Sequence, residues 1–173
     1  MKSKTIILGI VLLSSLLGEA FAQENSRYSY PPVADVEKQV MKEKGTLFPV
    51  GIPNTANESY FSGVSFLAPI SSDKSVHIFN VTFAPGVINN WHIHHNSCQV
   101  LMGVSGTGYY QIWGEEPKKI EPGQSVTIPE GTKHWHGAAP DHWFQHLAYM
   151  HSGENISTQW LEPVSQDELN KLK

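Results

Sequence analysis

The sequence predicts an all-β fold, a single barrel or sandwich of short strands. From Tyr60 onward, runs of five to nine residues are rich in Val, Ile, Phe, Tyr and Trp. Gly, Pro, Ser and Asp residues separate these runs at near-even spacing, a pattern typical of sandwiches and barrels. A length of 173 residues fits one domain. We expect strands near residues 60–68, 76–84, 90–95, 98–104, 107–113, 124–128, 134–138, 142–150 and 157–162.

Residues 1–22 have the three-part pattern of a secretory signal peptide. A basic start is followed by an apolar run over residues 6–17, and small residues stand at Ala20 and Ala22, which places cleavage before Gln23. The alternative is a membrane anchor, but the run is shorter than the span of about 20 apolar residues that a bilayer requires. We therefore expect export to the periplasm or secretion, with no membrane segment in the mature form.

Three further regions follow the signal peptide. Residues 23–57 form an N-terminal leader that we expect to be flexible at its start and to carry a short amphipathic helix over 33–43. The barrel should occupy residues 58–163. Residues 164–173 should form a C-terminal helix, because a capping box begins at Ser165.

Charge and cysteine content narrow the classes of partner. The formal net charge is −4, which argues against nucleic acid, since that partner demands a basic face. One cysteine, Cys98, rules out a disulfide within the chain. We interpret Cys98 as a small buried hydrophobic residue, with a metal-bound or catalytic thiolate as the alternative. A small-molecule substrate remains the expected partner.

Histidine is the unusual residue, since eight of the nine histidines lie between His92 and His151. Side chains at i and i+2 of a strand point the same way, so His92 and His94 project into one space. Gln99 follows on the next expected strand, and His134 begins a later one. Three imidazole nitrogens and one amide oxygen could then surround a cation. The alternatives are three structural histidines, or a three-histidine site that Gln99 supports without binding the metal.

Two motifs carry a resemblance to the cupin family. The first is Gly86-x5-His92-x-His94-x4-Gln99-x6-Gly106, and the second is Gly123-x5-Pro129-x-Gly131-x2-His134. The resemblance covers about residues 60–150 and implies a double-stranded β-helix, or jelly-roll, barrel. Two positions depart from the usual motifs: Gln99 stands where Glu is usual, and Ala138 where Asn is usual. Loss of the carboxylate should leave a bound cation a stronger Lewis acid that is held less tightly.

The block His134-Trp135-His136-Gly137-Ala138-Ala139-Pro140, together with Gln99, is similar to the manganese-dependent cupin hydroxynitrile lyases and to carboxymuconolactone-decarboxylase-like cupins. This resemblance implies one divalent ion held by His92, His94, Gln99 and His134. Manganese is the implied metal, and Fe, Zn or Ni also suit such ligands. The segment 95–98 is one residue longer than in the hydroxynitrile lyases.

Five other residues are candidates for the chemistry. His136 and His146 are expected to move protons beside a bound substrate, with wall residues as the alternative. Phe79, Val81 and Met150 are expected to line the substrate pocket, although packing in the core would explain them equally well.

Three functions fit these residues. The first is a metal-dependent lyase acting on a small carbonyl or hydroxy compound, as in the hydroxynitrile lyases. The second is a metal-dependent dioxygenase of the quercetinase-like type. The third is a non-enzymatic periplasmic protein that binds a small molecule. Each is compatible with a homodimer or a higher homo-oligomer.

Overall fold

The computed structural model describes residues 26–73, 75–151 and 153–172, so the expected signal peptide lies outside the described residues. Within them the chain forms two short α-helices, one 3₁₀ helix and eleven strands. The helices are α1 (Val33–Val40), the 3₁₀ helix (Thr55–Tyr60) and α2 (Gln166–Leu169). The strands are β1 (Ile52–Pro53), β2 (Ser65–Pro69), β3 (His77–Phe83), β4 (His92–His95), β5 (Gln99–Gly106), β6 (Gly108–Ile112), β7 (Lys118–Ile120), β8 (Ser125–Ile128), β9 (His134–Ala138), β10 (Phe144–Met150) and β11 (Ser157–Trp160).

The strands form two antiparallel sheets, which confirms the expected all-β jelly-roll fold. One sheet has the order β1-β2-β3-β10-β5-β8, and the other has the order β11-β4-β9-β6-β7. Several neighbours in each sheet come from distant parts of the chain, as in the pairing of β11 with β4 and of β10 with both β3 and β5. This crossing of the chain between sheets brings strands β4, β5, β9 and β11 close to one another.

The core contains inward-facing side chains from both sheets. Val81 and Phe83 on β3, Leu101 on β5 and Phe144 on β10 are buried in one cluster, to which Ala138 on β9 of the other sheet also belongs. Burying each of the larger apolar side chains contributes about 1.5–3 kcal/mol. The polar site described below therefore lies within an apolar barrel interior.

The N-terminal segment packs against the barrel, so the expectation of a flexible start is wrong for the described part of it. Tyr30 is buried against Phe66 of β2, with ring centroids 5.5 Å apart. Val36 and Val40, one helical turn apart on α1, join the same cluster. The Tyr28 hydroxyl also donates a hydrogen bond to the carbonyl oxygen of Phe61 (2.6 Å). Apolar side chains on one face of the helix thus hold the segment to the sheet.

Three elements differ from expectation by three residues or more at one end. The helix expected over 33–43 ends at Val40. The strand expected over 60–68 begins only at Ser65, after a 3₁₀ helix over Thr55–Tyr60 and an irregular stretch over 61–64. The C-terminal helix has four residues, and the Ser165 hydroxyl accepts a hydrogen bond from the Glu168 amide at its start (3.4 Å).

The two shortest strands, β1 and β7, were not expected from the sequence. Across the described residues, no helix is long and apolar enough to cross a membrane.

Candidate metal centre

Three histidines converge inside the barrel because of how two strands pair. His92 and His94 lie on the same face of β4, and His134 of β9 lies directly opposite His92 in the sheet. All three side chains are buried, and their candidate ligand atoms lie within 4.8 Å of one another. A cluster of this size matches the spacing that a single metal ion requires.

The backbone fixes which nitrogen of His92 and of His134 carries the proton. His92 Nδ1 lies 3.0 Å from the carbonyl oxygen of Asn90, and His134 Nδ1 lies 2.9 Å from that of Thr132. A carbonyl oxygen can only accept, so each Nδ1 must donate its hydrogen. Each Nε2 of the neutral ring therefore keeps a free lone pair, as a metal ligand requires.

His94 is held by a side chain rather than by the backbone. Its Nδ1 lies 3.0 Å from the hydroxyl oxygen of Thr158 on β11, the strand that pairs with β4. Its Nε2 is buried and has no hydrogen-bond partner. A buried polar atom without a partner costs about 1–3 kcal/mol, and a cation bound at this nitrogen would remove that cost.

Gln99 opens β5 and completes the group. Its Oε1 lies 3.0 Å from His134 Nε2, and the His134 tautomer leaves a lone pair on that nitrogen, so two acceptors face each other. A cation beside both atoms would make this arrangement favourable. If the Gln99 amide were turned so that its nitrogen faced His134, it would instead donate a hydrogen bond to Nε2. Together with the orphaned nitrogen of His94, this donor set fits one divalent ion.

Burial keeps the cluster in its neutral form. Burial, and then the neighbouring histidines, lower the pKa of His92 well below its ordinary value of 6.5. Burial lowers the pKa of His134 to about 4 and also lowers the pKa of His94. A metal competes with protons for imidazole nitrogens. The three histidines are therefore available as ligands at neutral pH.

A cavity of about 120 Å³ opens onto the cluster. It is lined by Asn54, Asn57, Phe61, Leu67, Val81, Asn89, His92, His94, Gln99, His136, Ala148, Thr158 and Trp160. Of the expected site residues, the lining includes Val81, His136 and three of the four ligands, His92, His94 and Gln99. It does not include Phe79, Met150, His146 or the fourth ligand, His134.

His136 is the one expected proton carrier that reaches the cavity. The Oδ1 of Asn89 accepts a hydrogen bond from the backbone amide of His136 (3.0 Å), which fixes the orientation of that side-chain amide. The Nδ2 of Asn89 then faces the imidazole, 3.1 Å from Nε2 and 3.4 Å from Nδ1. Because an amide N–H only donates, this contact is more favourable with a neutral ring than with a protonated one.

His146 lies behind His136, away from the cavity. Its side chain is fully buried, and neither ring nitrogen has a hydrogen-bond partner. Its ring centroid is 4.7 Å from that of His136 with the planes almost perpendicular, and it stacks on Phe83 at 5.7 Å. Burial lowers the pKa of His146 to about 4. His146 can therefore act on a substrate only through His136.

Eight residues of the cavity lining were not identified as site residues from the sequence, and four of them come from two segments outside the histidine motifs. Asn54 and Asn57 come from the region around the 3₁₀ helix, and Thr158 and Trp160 come from β11. The Trp160 ring lies 4.9 Å from that of His92 and stacks on Tyr60 at 4.7 Å. No spacing in the sequence relates these segments to the histidine motifs, because only the folded barrel brings them together.

A larger cleft, of about 260 Å³, lies outside the barrel. Trp91, Trp113 and several charged side chains line it. Its glutamates form salt bridges with lysines, as between Glu168 and Lys171 (3.0 Å). We assign the functional site to the smaller cavity, because His92 and His94 of the histidine cluster line it together with Gln99.

Comparison with known proteins identifies the family. Residues 79–142 match the family described as the cupin domain. The chain is 36% identical over 92 residues to the (R)-mandelonitrile lyase of Granulicella tundricola, an alignment that covers 53% of this chain and 70% of that protein. The chain therefore belongs to the cupin family, as the two motifs predicted.

Solved structures agree with this assignment. A cupin-like protein from Thermotoga maritima aligns with a TM-score of 0.66 and 28% identity, over 73% of this chain and 96% of that one. A chain from the crystal structures of the DMSP lyases RdDddP and RnDddQII aligns with a TM-score of 0.52 and 16% identity, over 89% of this chain and 100% of that one. The second likeness concerns the fold alone.

Proposed function

We propose that this chain is an exported, metal-dependent lyase that cleaves or forms a carbon–carbon bond beside the oxygen of a small carbonyl or hydroxy compound. The buried histidine cluster, in which His94 lines the cavity and has an Nε2 without a hydrogen-bond partner, is the observation that carries the proposal. The 36% identity to an (R)-mandelonitrile lyase supports the reaction class. Export rests on the pattern of residues 1–22 and places the enzyme in the periplasm or outside the cell.

One divalent ion would be held by His92, His94, His134 and Gln99. Manganese is our first choice, and iron, zinc or nickel would accept the same nitrogen and oxygen ligands. When bound, such an ion supplies a Lewis acid that polarises the substrate oxygen. The remaining roles belong to side chains of the chain itself.

His136 is the proposed catalytic residue, because its imidazole lines the cavity and can exchange a proton with a substrate there. Asn89 holds the ring in place through two contacts. His146 is a positioning residue, since its ring packs against His136 and has no exposed surface. The apolar side chains of Phe61 and Val81 also line the cavity.

A dioxygenase is the second candidate. The observation in its favour is that the metal cluster contains no carboxylate among the described residues, an arrangement that leaves room for oxygen and substrate together. The two reactions differ in one measurable respect, because a lyase consumes no oxygen.

The test begins with the metal content of protein purified without a histidine tag, where we expect about one divalent ion per chain. Turnover of small hydroxynitriles and oxygen uptake are then measured on the loaded protein. We expect cleavage without oxygen uptake. Oxygen uptake would support the dioxygenase, and a loaded protein that turns over neither class of substrate would indicate a binding protein.

Variants locate the proton transfer. His136→Ala should lower turnover by about 10²–10⁴-fold with the metal retained, the usual contribution of a positioned acid–base group. The matched variant His146→Ala should have a smaller effect, because that ring does not reach the cavity. Equal losses in the two variants, or turnover within a fewfold of wild type for His136→Ala, would contradict the assignment.

A further inference from the structure

Three segments of the chain form the mouth of the cavity. Most lining residues are buried, and the half-buried ones mark the side that opens to solvent. They are Asn57 on the 3₁₀ helix, Leu67 on β2, and Thr158 and Trp160 on β11. Strands β2 and β11 are hydrogen-bonded to neighbouring strands. The 3₁₀ helix belongs to neither sheet, so other contacts must fix its position.

Backbone hydrogen bonds to the barrel hold the two ends of this helix. At its start, the amide of Asn54 donates a hydrogen bond to the carbonyl oxygen of Ser65 (2.9 Å). At its end, the amide of Asn90 donates one to the carbonyl oxygen of Tyr60 (2.8 Å). The hydrogen bonds inside a 3₁₀ helix have poorer geometry than those of an α-helix. The middle of the helix, at Glu58, therefore depends on side-chain contacts.

The N-terminal segment supplies these contacts. Glu58 Oε2 accepts a hydrogen bond from the hydroxyl of Ser26 (2.6 Å), and Oε1 accepts one from the backbone amide of Arg27 (2.9 Å). The hydrogen bond from Ser26, and then the one from Arg27, lower the pKa of Glu58, so the acceptor is a charged carboxylate at neutral pH. Hydrogen bonds to a charged group are about twice as strong as those between neutral groups. We call Ser26 and Arg27 the N-terminal clasp.

The residues that follow the clasp attach it to the barrel. The hydroxyl of Tyr28 donates a hydrogen bond to the carbonyl oxygen of Phe61 (2.6 Å), and the side chain of Tyr30 is buried. Phe61 lines the cavity, and its backbone pairs with that of Asn89, the residue whose side chain contacts His136. The clasp is thus a fixed part of the fold, and its contacts lead to the wall of the cavity.

We propose that Glu58 is a positioning residue, through which the N-terminal clasp fixes the width of the cavity mouth and thereby the affinity for substrate. This inference rests on the proposed lyase and concerns how its substrate is admitted. Glu58 does not line the cavity, so it acts through its neighbour Asn57, which does. Release of the carboxylate would let the middle of the helix move and open the mouth. The proposed metal ligands lie on β4, β5 and β9 and would keep their places.

The first experiment measures access to the cavity without metal or substrate. Diethyl pyrocarbonate modifies unprotonated imidazole nitrogens, and mass spectrometry gives the rate at each histidine. Glu58→Gln keeps the shape of the side chain but presents an amide N–H to one of the two donors. We expect His94, which lines the cavity, to react about 5–30-fold faster, the change in an opening equilibrium that loss of such hydrogen bonds produces. His146, buried outside the cavity, should keep its rate, whereas a general loss of stability would raise both.

Three further variants serve as controls. Glu115→Gln makes the same chemical change at a carboxylate that pairs with Lys118 (2.6 Å) at the larger cleft, and every histidine should react as in wild type. Ser26→Ala should accelerate the reaction of His94, and Ser26→Thr, which keeps the hydroxyl, should not. Ser26→Ala combined with Glu58→Gln should react no faster than Glu58→Gln alone, because both remove the same contact.

The second experiment measures turnover of lactonitrile, a small hydroxynitrile, by the metal-loaded protein. In Glu58→Gln we expect KM to rise about 5–30-fold, while kcat and metal content stay within about twofold of wild type. A lower kcat at unchanged KM would overturn the inference, because the effect would then lie in the chemical step. An unchanged rate at His94, or equal acceleration at His94 and His146, would also overturn it. Failure of wild type to turn over lactonitrile or any other small hydroxynitrile would instead refute the proposed lyase, and the modification rates would still decide the role of the clasp.

Discussion

Thr158 is expected to control metal affinity without touching the metal. Its hydroxyl is the hydrogen-bond partner of His94 Nδ1 (3.0 Å), and Thr158→Val replaces that hydroxyl with a methyl group of similar size. His94 Nε2 can bind a metal only while Nδ1 carries the hydrogen. In Thr158→Val, this N–H group would have no acceptor. Because the His94 side chain is only 5% exposed, little water can take over, and the cost is about 1–3 kcal/mol. Metal affinity should therefore fall by about 10–100-fold.

The assay is a calorimetric titration of metal-free protein with Mn²⁺, supported by far-ultraviolet circular dichroism to show that the fold is kept. Thr132→Val is the matched control, because Thr132 contacts another ligand, His134, through its backbone carbonyl rather than its hydroxyl. We expect the control to bind within about twofold of wild type. Equal Mn²⁺ affinities for the two variants would refute the reasoning that the hydroxyl of Thr158 orients His94.

Two further predictions concern single histidines. His94→Ala should abolish metal binding, since it removes the buried nitrogen that has no other partner; full metal occupancy by elemental analysis would show that the site lies elsewhere. Burial lowers the pKa of His146 from 6.5 to about 4. Between these pH values the unfolded chain binds a proton that the folded chain does not. The free energy of unfolding therefore decreases as the pH is lowered. Between pH 7 and pH 5, the free energy of unfolding measured in urea should decrease by about 2 kcal/mol less in His146→Phe than in wild type. An equal decrease in both proteins would show that His146 does not cause this pH dependence.

Local patterns were sufficient to predict the fold class and the histidine cluster. The alternation of side chains along a strand placed His92 and His94 on one face, and the structure has them there on β4. Turn residues marked most of the strand boundaries within a few residues. Both patterns depend on backbone geometry that neighbouring residues determine, which is why they can be detected without knowledge of the distant parts of the chain.

Alternation along a strand does not tell which residue of a face reaches the cavity. His146, Ala148 and Met150 share one face of β10, as expected, and this strand pairs with β3 in register throughout. Of the three, only Ala148 lines the cavity, while His146 packs behind His136. The depth of each side chain depends on how the two sheets pack, and nothing in the spacing of one strand reveals it.

The sequence by itself determined the kind of protein, a cupin barrel with three buried histidines that can hold a metal. Only the tertiary structure decided what surrounds that cluster. Asn54 from the N-terminal region and Thr158 from β11 line the same cavity, although most of the barrel sequence lies between them. Contacts between distant segments depend on how the two sheets pack, whereas ligand spacing within one strand depends on the backbone alone.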